Sequence, residues 1–244
     1  MQAKIEELTR YGVPFRIICG SKVTHPACVY RPPIGKYDAV NCGGVEVPSD
    51  ADVVALNDVD TEIHNLEAAL REFKHEEASL LFVRVQVKSG PQNMFYRLLD
   101  ALRGKIPIAA SGELMLIKRK VLDEMLPLEP CKAEDSYILF KTLELGHKVA
   151  FCKECYVTTK RTETAQQEEE YKRRTVGGIY QALAKTKPPG MIKLFYTILP
   201  FISPLLLVLG KKGYYWTKGI LAGYIDYLRG DRSSTWEPIS TNVQ

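Results

Sequence analysis

The sequence predicts an α/β protein with an open, mostly parallel sheet flanked by helices and with a helical appendage at the C-terminus. Two observations support this fold class. Up to about residue 160, short apolar runs alternate with segments whose apolar residues recur at helical spacing, as in a layered α/β domain. After residue 160 the strand pattern stops and helical segments follow. We therefore expect a domain at 1–160, a helical segment at 161–190 and an appendage at 191–244.

The predicted domain opens on a helix. Ile5 and Leu8 share one side of residues 1–12, Gly12 ends the helix, and the apolar residues of 13–19 predict a strand. The later elements are, in chain order, a helical turn at 35–44, a buried strand at 52–56, a helix from Thr61 that carries Ile63, Leu66, Leu70 and Phe73, a strand at 80–87, a strand at 115–117, a helix from Glu134 to Gly146 and a strand at 148–152. Strands that alternate with helices predict crossover connections, and hence parallel pairing.

Composition and charge exclude several classes of protein. With 244 residues, 45% of them hydrophobic and 25% charged, the chain can bury a full core, which excludes disordered and fibrous structures. The net charge of +4 is concentrated in residues 172–232, where Lys and Arg outnumber Asp and Glu. These cations flank an apolar stretch rather than a polar groove-binding helix, which argues against a nucleic-acid partner.

The six cysteines do not form the dense pattern of a small secreted scaffold and indicate a reducing compartment. Cys152 and Cys155 have the spacing of half a zinc site, but the sequence has no second half. We interpret them as strand and turn residues.

The appendage contains 17 consecutive uncharged residues, 194–210. This length is marginal for a membrane span, and Pro200 and Pro204 would interrupt its hydrogen bonds. Lysines precede and follow the stretch, and tyrosines and a tryptophan come after it, as expected of a segment at the depth of lipid headgroups. The sequence favours a membrane-associated hairpin, interfacial or re-entrant, on the cytoplasmic face. The alternative is a buried hairpin of an ordinary globular domain.

Two pairs of acidic residues are candidates for chemistry. Asp58 and Asp60 directly follow a buried strand, where two carboxylates can reach one hard cation while diphosphate oxygens complete its shell. Glu134 and Asp135 open a predicted helix. The alternative for both pairs is helix capping with a favourable dipole interaction.

Five segments occur in an order and spacing that point to a known family. They are GKYDAVN (35–41), DVVALNDVDTEI (52–63), SGELMLIKRKVL (111–122), EDSYILFKTLELGHKVAF (134–151) and KRRTVGG (172–178). On these motifs, the chain resembles the family 2 glycosyltransferases of GT-A fold over roughly residues 1–180. The resemblance implies a GT-A-like sheet and a metal-dependent, inverting transfer of a sugar from a nucleotide-sugar donor to a lipid-linked or glycan acceptor near the membrane.

The resemblance also implies roles for individual residues. Asp60 would ligate Mg²⁺ or Mn²⁺ on the donor diphosphate, with Asp58 as a further ligand near the ribose or sugar, and Asp135 would be the general base on the acceptor hydroxyl. The other positions that the resemblance places at the donor are Lys36, Asn41, Gly112, Glu134, Arg173 and Arg174. A metal held by carboxylates, together with nearby cations, would neutralise charge on the leaving diphosphate.

The chain departs from the family pattern in two places. Residues 171–175 keep an arginine but lack the Gln and Trp of processive members, which favours transfer of a single sugar. Family members also begin with a strand and an Asp-rich turn that hold the nucleotide base, and this sequence opens after them. We expect a partner chain or an upstream segment to supply that strand. The alternative is a catalytically inactive GT-A-like subunit or scaffold at the membrane.

Overall fold

The protein has a mixed α/β fold. The computed structural model describes residues 1–87, 99–160, 162 and 164–235, so residues 236–244 of the predicted appendage lie outside them. The strands are β1 (Ile17–Cys19), β2 (Cys28–Tyr30), β3 (Val53–Asn57), β4 (Glu62–His64), β5 (Leu80–Val87), β6 (Leu114–Lys118) and β7 (Val149–Thr159). The helices are α1 (Gln2–Arg10), α2 (Lys36–Glu46), α3 (Leu66–His75), α4 (Arg119–Met125), α5 (Glu134–Glu144), α6 (Ala165–Lys185), α7 (Gly190–Ile202) and α8 (Lys211–Leu228), with a 3₁₀ segment at Ser203–Leu209.

Five strands form one sheet in the order β3-β6-β5-β7-β4, and β1 and β2 form a separate parallel pair. Within the larger sheet β5 and β7 run parallel, whereas β3 with β6, β5 with β6, and β4 with β7 are antiparallel. The prediction of a mostly parallel sheet is therefore wrong. Strand β6 is buried along both faces, so its sequence is continuously apolar whatever its direction.

Two elements have bounds that differ from the prediction, so that some residues lie in a different kind of secondary structure. Ile63, expected on a helix from Thr61, lies on the short strand β4, and α3 begins only at Leu66. Strand β7 continues past Cys152 to Thr159 and pairs with β4 along this extension. A three-residue strand between a turn and a helix is too short to be recognised from alternation alone.

The two cysteines with CxxC spacing lie at an irregularity in β7, Cys152 just before it and Cys155 within it. Residues 153–155 form the bulge, since Cys152 pairs with Val83 and Tyr156 with Arg84. Both thiols are fully buried, which raises the pKa of Cys152 to about 11 and that of Cys155 to about 12. They are therefore protonated at neutral pH and pack as small apolar side chains.

Helices cover the sheet on both faces and fix its position relative to α5. Leu80 and Phe82 of β5 face a core shared with α5 and α6, and Leu81 and Val83 face a core shared with α3. All four side chains are completely buried. This packing places the first turn of α5 beside the ends of β3 and β7.

The C-terminal helices form a hairpin that packs on this core and contributes Ile192, Tyr196 and Ile220 to it. Helix α8 packs along α6 so closely that a β-carbon at Gly223 would overlap the Arg173 carbonyl. Helix α7 is attached by Tyr196, whose hydroxyl donates to the Ile108 carbonyl at 2.7 Å. Within the described part of the chain, Gly190–Leu209 is long and apolar enough to cross a membrane, with a mean hydropathy of 2.0 and 22% burial over its most apolar window.

Candidate active site

The acidic residues singled out from the sequence converge on one pocket of about 190 Å³. It is lined by Lys36, Asp58, Val59, Asp60, Gly112, Glu113, Lys132, Ala133, Glu134, Asp135, Thr159, Lys160, Thr162, Tyr171, Arg174 and Thr175. Ligand pockets are typically about 300–1,000 Å³. The volume therefore suits the reacting part of a ligand rather than the whole of a large one.

A tight turn after β3 holds Asp58 and Asp60 at the pocket. The Thr61 amide and hydroxyl both donate to the Asp58 carbonyl, at 3.3 and 2.7 Å. The Asp58 amide donates to the Glu113 carbonyl at 3.1 Å, which ties the turn to the start of β6. With the backbone fixed at both ends, the Asp58 side chain is half-buried and Asp60 is exposed, and both line the pocket.

Lys36 lies among the carboxylates. As the first residue of α2 it points into the pocket, where its Nζ is 2.5 Å from Asp58 Oδ2 and 3.9 Å from Glu134 Oε1. The surrounding protein atoms would lower the pKa of Lys36, but the Asp58 and Glu134 carboxylates outweigh them and raise it. Lys36 is therefore a fixed positive charge that connects the two acidic segments.

The first turn of α5 supplies a buried pair of carboxyl groups. Burial raises the pKa of Glu134 to about 7, since the opposing effect of Lys36 is smaller. Burial also raises the pKa of Asp135, although Ser136 N donates to Asp135 Oδ1 at 2.7 Å and partly offsets this. Raised pKa values in a pocket are typical of groups that exchange protons with a ligand.

Gly112 leaves the space that Asp135 needs. A β-carbon at Gly112 would lie 3.0 Å from Asp135 Cβ and 3.3 Å from its Oδ2. On the other side, a β-carbon at Gly178 of α6 would lie 2.8 Å from the Ala133 amide nitrogen. Two glycines in different segments thus allow the start of α5 to pack closely between β6 and α6.

Positively charged side chains also line the pocket. Arg174 lines the pocket with its guanidinium 5.2 Å from the centre of the Tyr171 ring. Lys132 lines it as well and pairs with Asp231 at 2.6 Å, a contact between residues 99 positions apart. The sequence analysis did not identify Lys132 or Lys160 as candidate site residues. Lys132 could have been suspected, because it lies two residues before the helix that begins with the acidic pair.

Two residues that the resemblance places at the donor do not line this pocket. Asn41 accepts from the Leu128 amide at 2.6 Å and donates to its carbonyl at 3.1 Å, so it connects α2 to the loop before α5. Arg173 points to the other side of α6, where it forms a bidentate pair with Asp226 of α8. Adjacent residues on a helix face different directions, and the sequence alone did not show which arginine faces the pocket.

The pocket's carboxylates fit a divalent metal that is shared with a ligand. Among the described residues, no group of three His, Cys, Asp or Glu side chains could hold a metal. Asp58 and Asp60 nevertheless present oxygen ligands in one turn. Mg²⁺ commonly uses one or two carboxylates together with substrate phosphates. Asp58 and Asp60 would therefore hold such an ion with a diphosphate present rather than as a closed protein cage.

Replacing Glu134 by Gln should flatten the pH dependence of stability. Because its pKa is raised in the folded protein, Glu134 contributes stability at acidic pH that is lost as pH rises towards about 7. From about pH 5 to 8, the unfolding free energy of the wild type should fall relative to the variant by on the order of 2 kcal/mol. Urea unfolding of both proteins at several pH values between about 5 and 8 measures this difference in unfolding free energy.

The control for this experiment is Glu154→Gln, a change of the same type at an exposed position. Its curve should parallel that of the wild type, because an exposed carboxylate is solvated in both states. Parallel curves for Glu134→Gln and the wild type would show that Glu134 does not carry the raised pKa.

By fold, the chain is similar to a glycosyltransferase. One solved structure that shows this is the mannosyltransferase PcManGT from Pyrobaculum calidifontis in complex with GDP-Man and Mn²⁺. It superimposes with a TM-score of 0.70 at 15% sequence identity, over 94% of this chain and 83% of that one. No protein-family model and no curated protein matches the sequence.

Proposed function

We propose that the protein is an inverting glycosyltransferase of the hexosyl type that uses a nucleotide-sugar donor and a divalent metal. The observation that carries the proposal is the convergence of Asp58, Asp60 and Asp135 on one pocket, in a fold similar to that of a mannosyltransferase. The acceptor we propose is lipid-linked or a glycan close to the membrane. These assignments extend the resemblance to family 2 glycosyltransferases seen in the motifs.

Asp135 is the proposed general base. Its carboxylate takes the proton of the acceptor hydroxyl while the oxygen attacks the anomeric carbon. The bond from that carbon to the donor diphosphate breaks, and its electron pair leaves with the diphosphate. A single base on the face opposite the leaving group inverts the configuration at the anomeric carbon.

The leaving diphosphate gains negative charge, which the cations of the pocket oppose. The positive side chains that line the pocket are those of Lys36, Lys132, Lys160 and Arg174. Asp58 and Asp60 would hold Mg²⁺ or Mn²⁺, which when bound neutralises the diphosphate further. With such an ion bound, Asp58 would no longer need Lys36 as its counter-ion, and Lys36 would be available to the donor phosphates.

The proposal is tested by release of nucleoside diphosphate from a panel of GDP- and UDP-sugars, with Mn²⁺ or Mg²⁺ and with a chelator. We expect metal-dependent release from at least one donor, enhanced by a membrane lipid extract. The control variant Asp50→Asn changes an exposed carboxylate outside the pocket and should keep full activity. Failure with every donor would favour the inactive-subunit alternative.

We also propose that a strand from a partner chain or from further sequence adds to β3. Among the described residues, β3 pairs only with β6, and its other edge is free although Val54 is buried. A free edge beside a functional site is a template for strand addition. Light scattering on the purified protein would show such a partner as a mass above 27.5 kDa.

A further inference from the structure

We propose that one face of α7 and the 3₁₀ segment lies in the interface of an anionic lipid bilayer, parallel to its plane. This surface, called the apolar stripe below, consists of Met191, Leu194, Ile198, Phe201, Leu205 and Val208. The inference concerns membrane binding alone and does not depend on the proposed sugar transfer.

The apolar stripe is continuous and exposed. Its members follow one another at alternating steps of three and four residues, which places them on one side of the helical segment. The most exposed are Val208 at 86%, Phe201 at 75% and Leu205 at 71%. Large exposed apolar patches on a folded protein mark sites of interaction with a protein or a membrane.

The opposite side of the same helix is attached to the protein. Ile192 and Tyr196 are 2% and 3% exposed, and the Tyr180 hydroxyl donates to the Tyr196 carbonyl at 2.6 Å. A helix buried on one side cannot be surrounded by lipid. It can present only its other side to a membrane surface.

The course of the segment also favours the interface over a span. Gly190–Leu209 is long enough to cross a bilayer, but Ser203, midway along it, is buried against the protein at 1% exposure. The chain then turns back. Thr217 of α8 donates to the Ser203 carbonyl at 2.8 Å, and the Leu206 carbonyl fills the space of a β-carbon at Gly213.

Charge identifies anionic lipid as the occupant. Lys193 lies beside the stripe, and Lys211 and Lys212 follow it; all three are exposed. No Asp or Glu occurs between Glu170 and Asp226. A second copy of the chain would bring the same lysines together in a symmetric contact, which is repulsive, whereas anionic headgroups complement them.

The test is flotation of the full chain with vesicles of phosphatidylcholine, with and without phosphatidylglycerol. The wild type should bind the anionic vesicles, and high salt should release it only partly, because apolar burial persists when charges are screened. The triple variant Phe201→Ser, Leu205→Ser, Val208→Ser should bind at least about tenfold more weakly. Circular dichroism confirms that the variant is folded.

The matched control replaces exposed apolar residues elsewhere, Val13, Val45 and Leu70, by Ser and should bind like the wild type. Replacing the three lysines of the flanks by Gln should abolish the preference for anionic vesicles. Binding of the Phe201, Leu205, Val208 variant at wild-type strength would overturn the proposal. A wild-type protein that floats with neither kind of vesicle, or that high salt releases completely, would also overturn the proposal. If the wild type is a dimer and the triple variant is a monomer, the apolar stripe binds a second copy of the chain instead of lipid.

Discussion

Asp135→Asn is expected to lower kcat by about 10²–10⁴-fold, the contribution typical of a general base. Asn keeps the size of Asp and an oxygen that can accept from the Ser136 amide, so the first turn of α5 should be preserved. It cannot take a proton from an acceptor hydroxyl. Steady-state kinetics with a saturating donor measures the loss, and calorimetric titration of the donor should show an affinity within about threefold of the wild type.

The variant has two informative failures. A wild-type rate would place the general base elsewhere. An equal loss of donor affinity and rate would mean that Asp135 holds the donor or the fold of the pocket. Gly112→Ala is a second test of the same residue, because the added carbon would contact Asp135 and displace its carboxylate without removing it. This variant should also lower kcat.

Asp60→Ala should remove the metal-dependent part of donor binding. The side chain is exposed and makes no contact that packing depends on, so stability should change by no more than about 0.5 kcal/mol. Loss of an outer-shell partner of a metal site costs about 10–100-fold in affinity, and loss of a ligand should cost at least as much. Calorimetric titration of the donor that the panel of GDP- and UDP-sugars identifies, with and without Mn²⁺, measures this loss of affinity.

The comparison with Asp58→Ala separates the two carboxylates. Asp58→Ala also frees Lys36 from its contact with Asp58 at 2.5 Å. It should therefore weaken donor binding in Mn²⁺, yet bind the donor without metal more tightly than Asp60→Ala does. Equal affinities of wild type and Asp60→Ala in Mn²⁺ would remove Asp60 from the site. The exposed control Asp50→Ala should bind like the wild type.

The sequence predicted the strand at 80–87 with the bounds that the structure shows, because four apolar residues that are completely buried are followed by alternating polar and apolar residues. It also predicted the helix from Glu134, since an acidic pair before an apolar period marks a helix start. Strand direction could not be predicted in the same way. Burial on both faces makes a central antiparallel strand such as β6 as apolar as a parallel one.

Some residues of the pocket could not be predicted from the sequence either, because their positions depend on long-range packing. Asp58, Asp60, Glu134 and Asp135 stand at ends of elements, where their sequence neighbours indicate the position. The approach of Lys132 to Asp231 depends on the folding of α8 along α6, a long-range contact with no local signal. The roles given to Asn41 and Arg173 rested on motif position, whereas their contacts follow from which side of a helix faces the pocket.

We propose above that this pocket holds a nucleotide sugar on a metal beside Asp135. Anomalous diffraction at the manganese edge, from crystals soaked with Mn²⁺ and the donor that the panel identifies, shows directly where both bind. We expect one strong peak within ligating distance of the Asp60 carboxylate and of the donor diphosphate, with the sugar facing Asp135. A donor bound in another pocket, or a manganese peak away from Asp58 and Asp60, would contradict it.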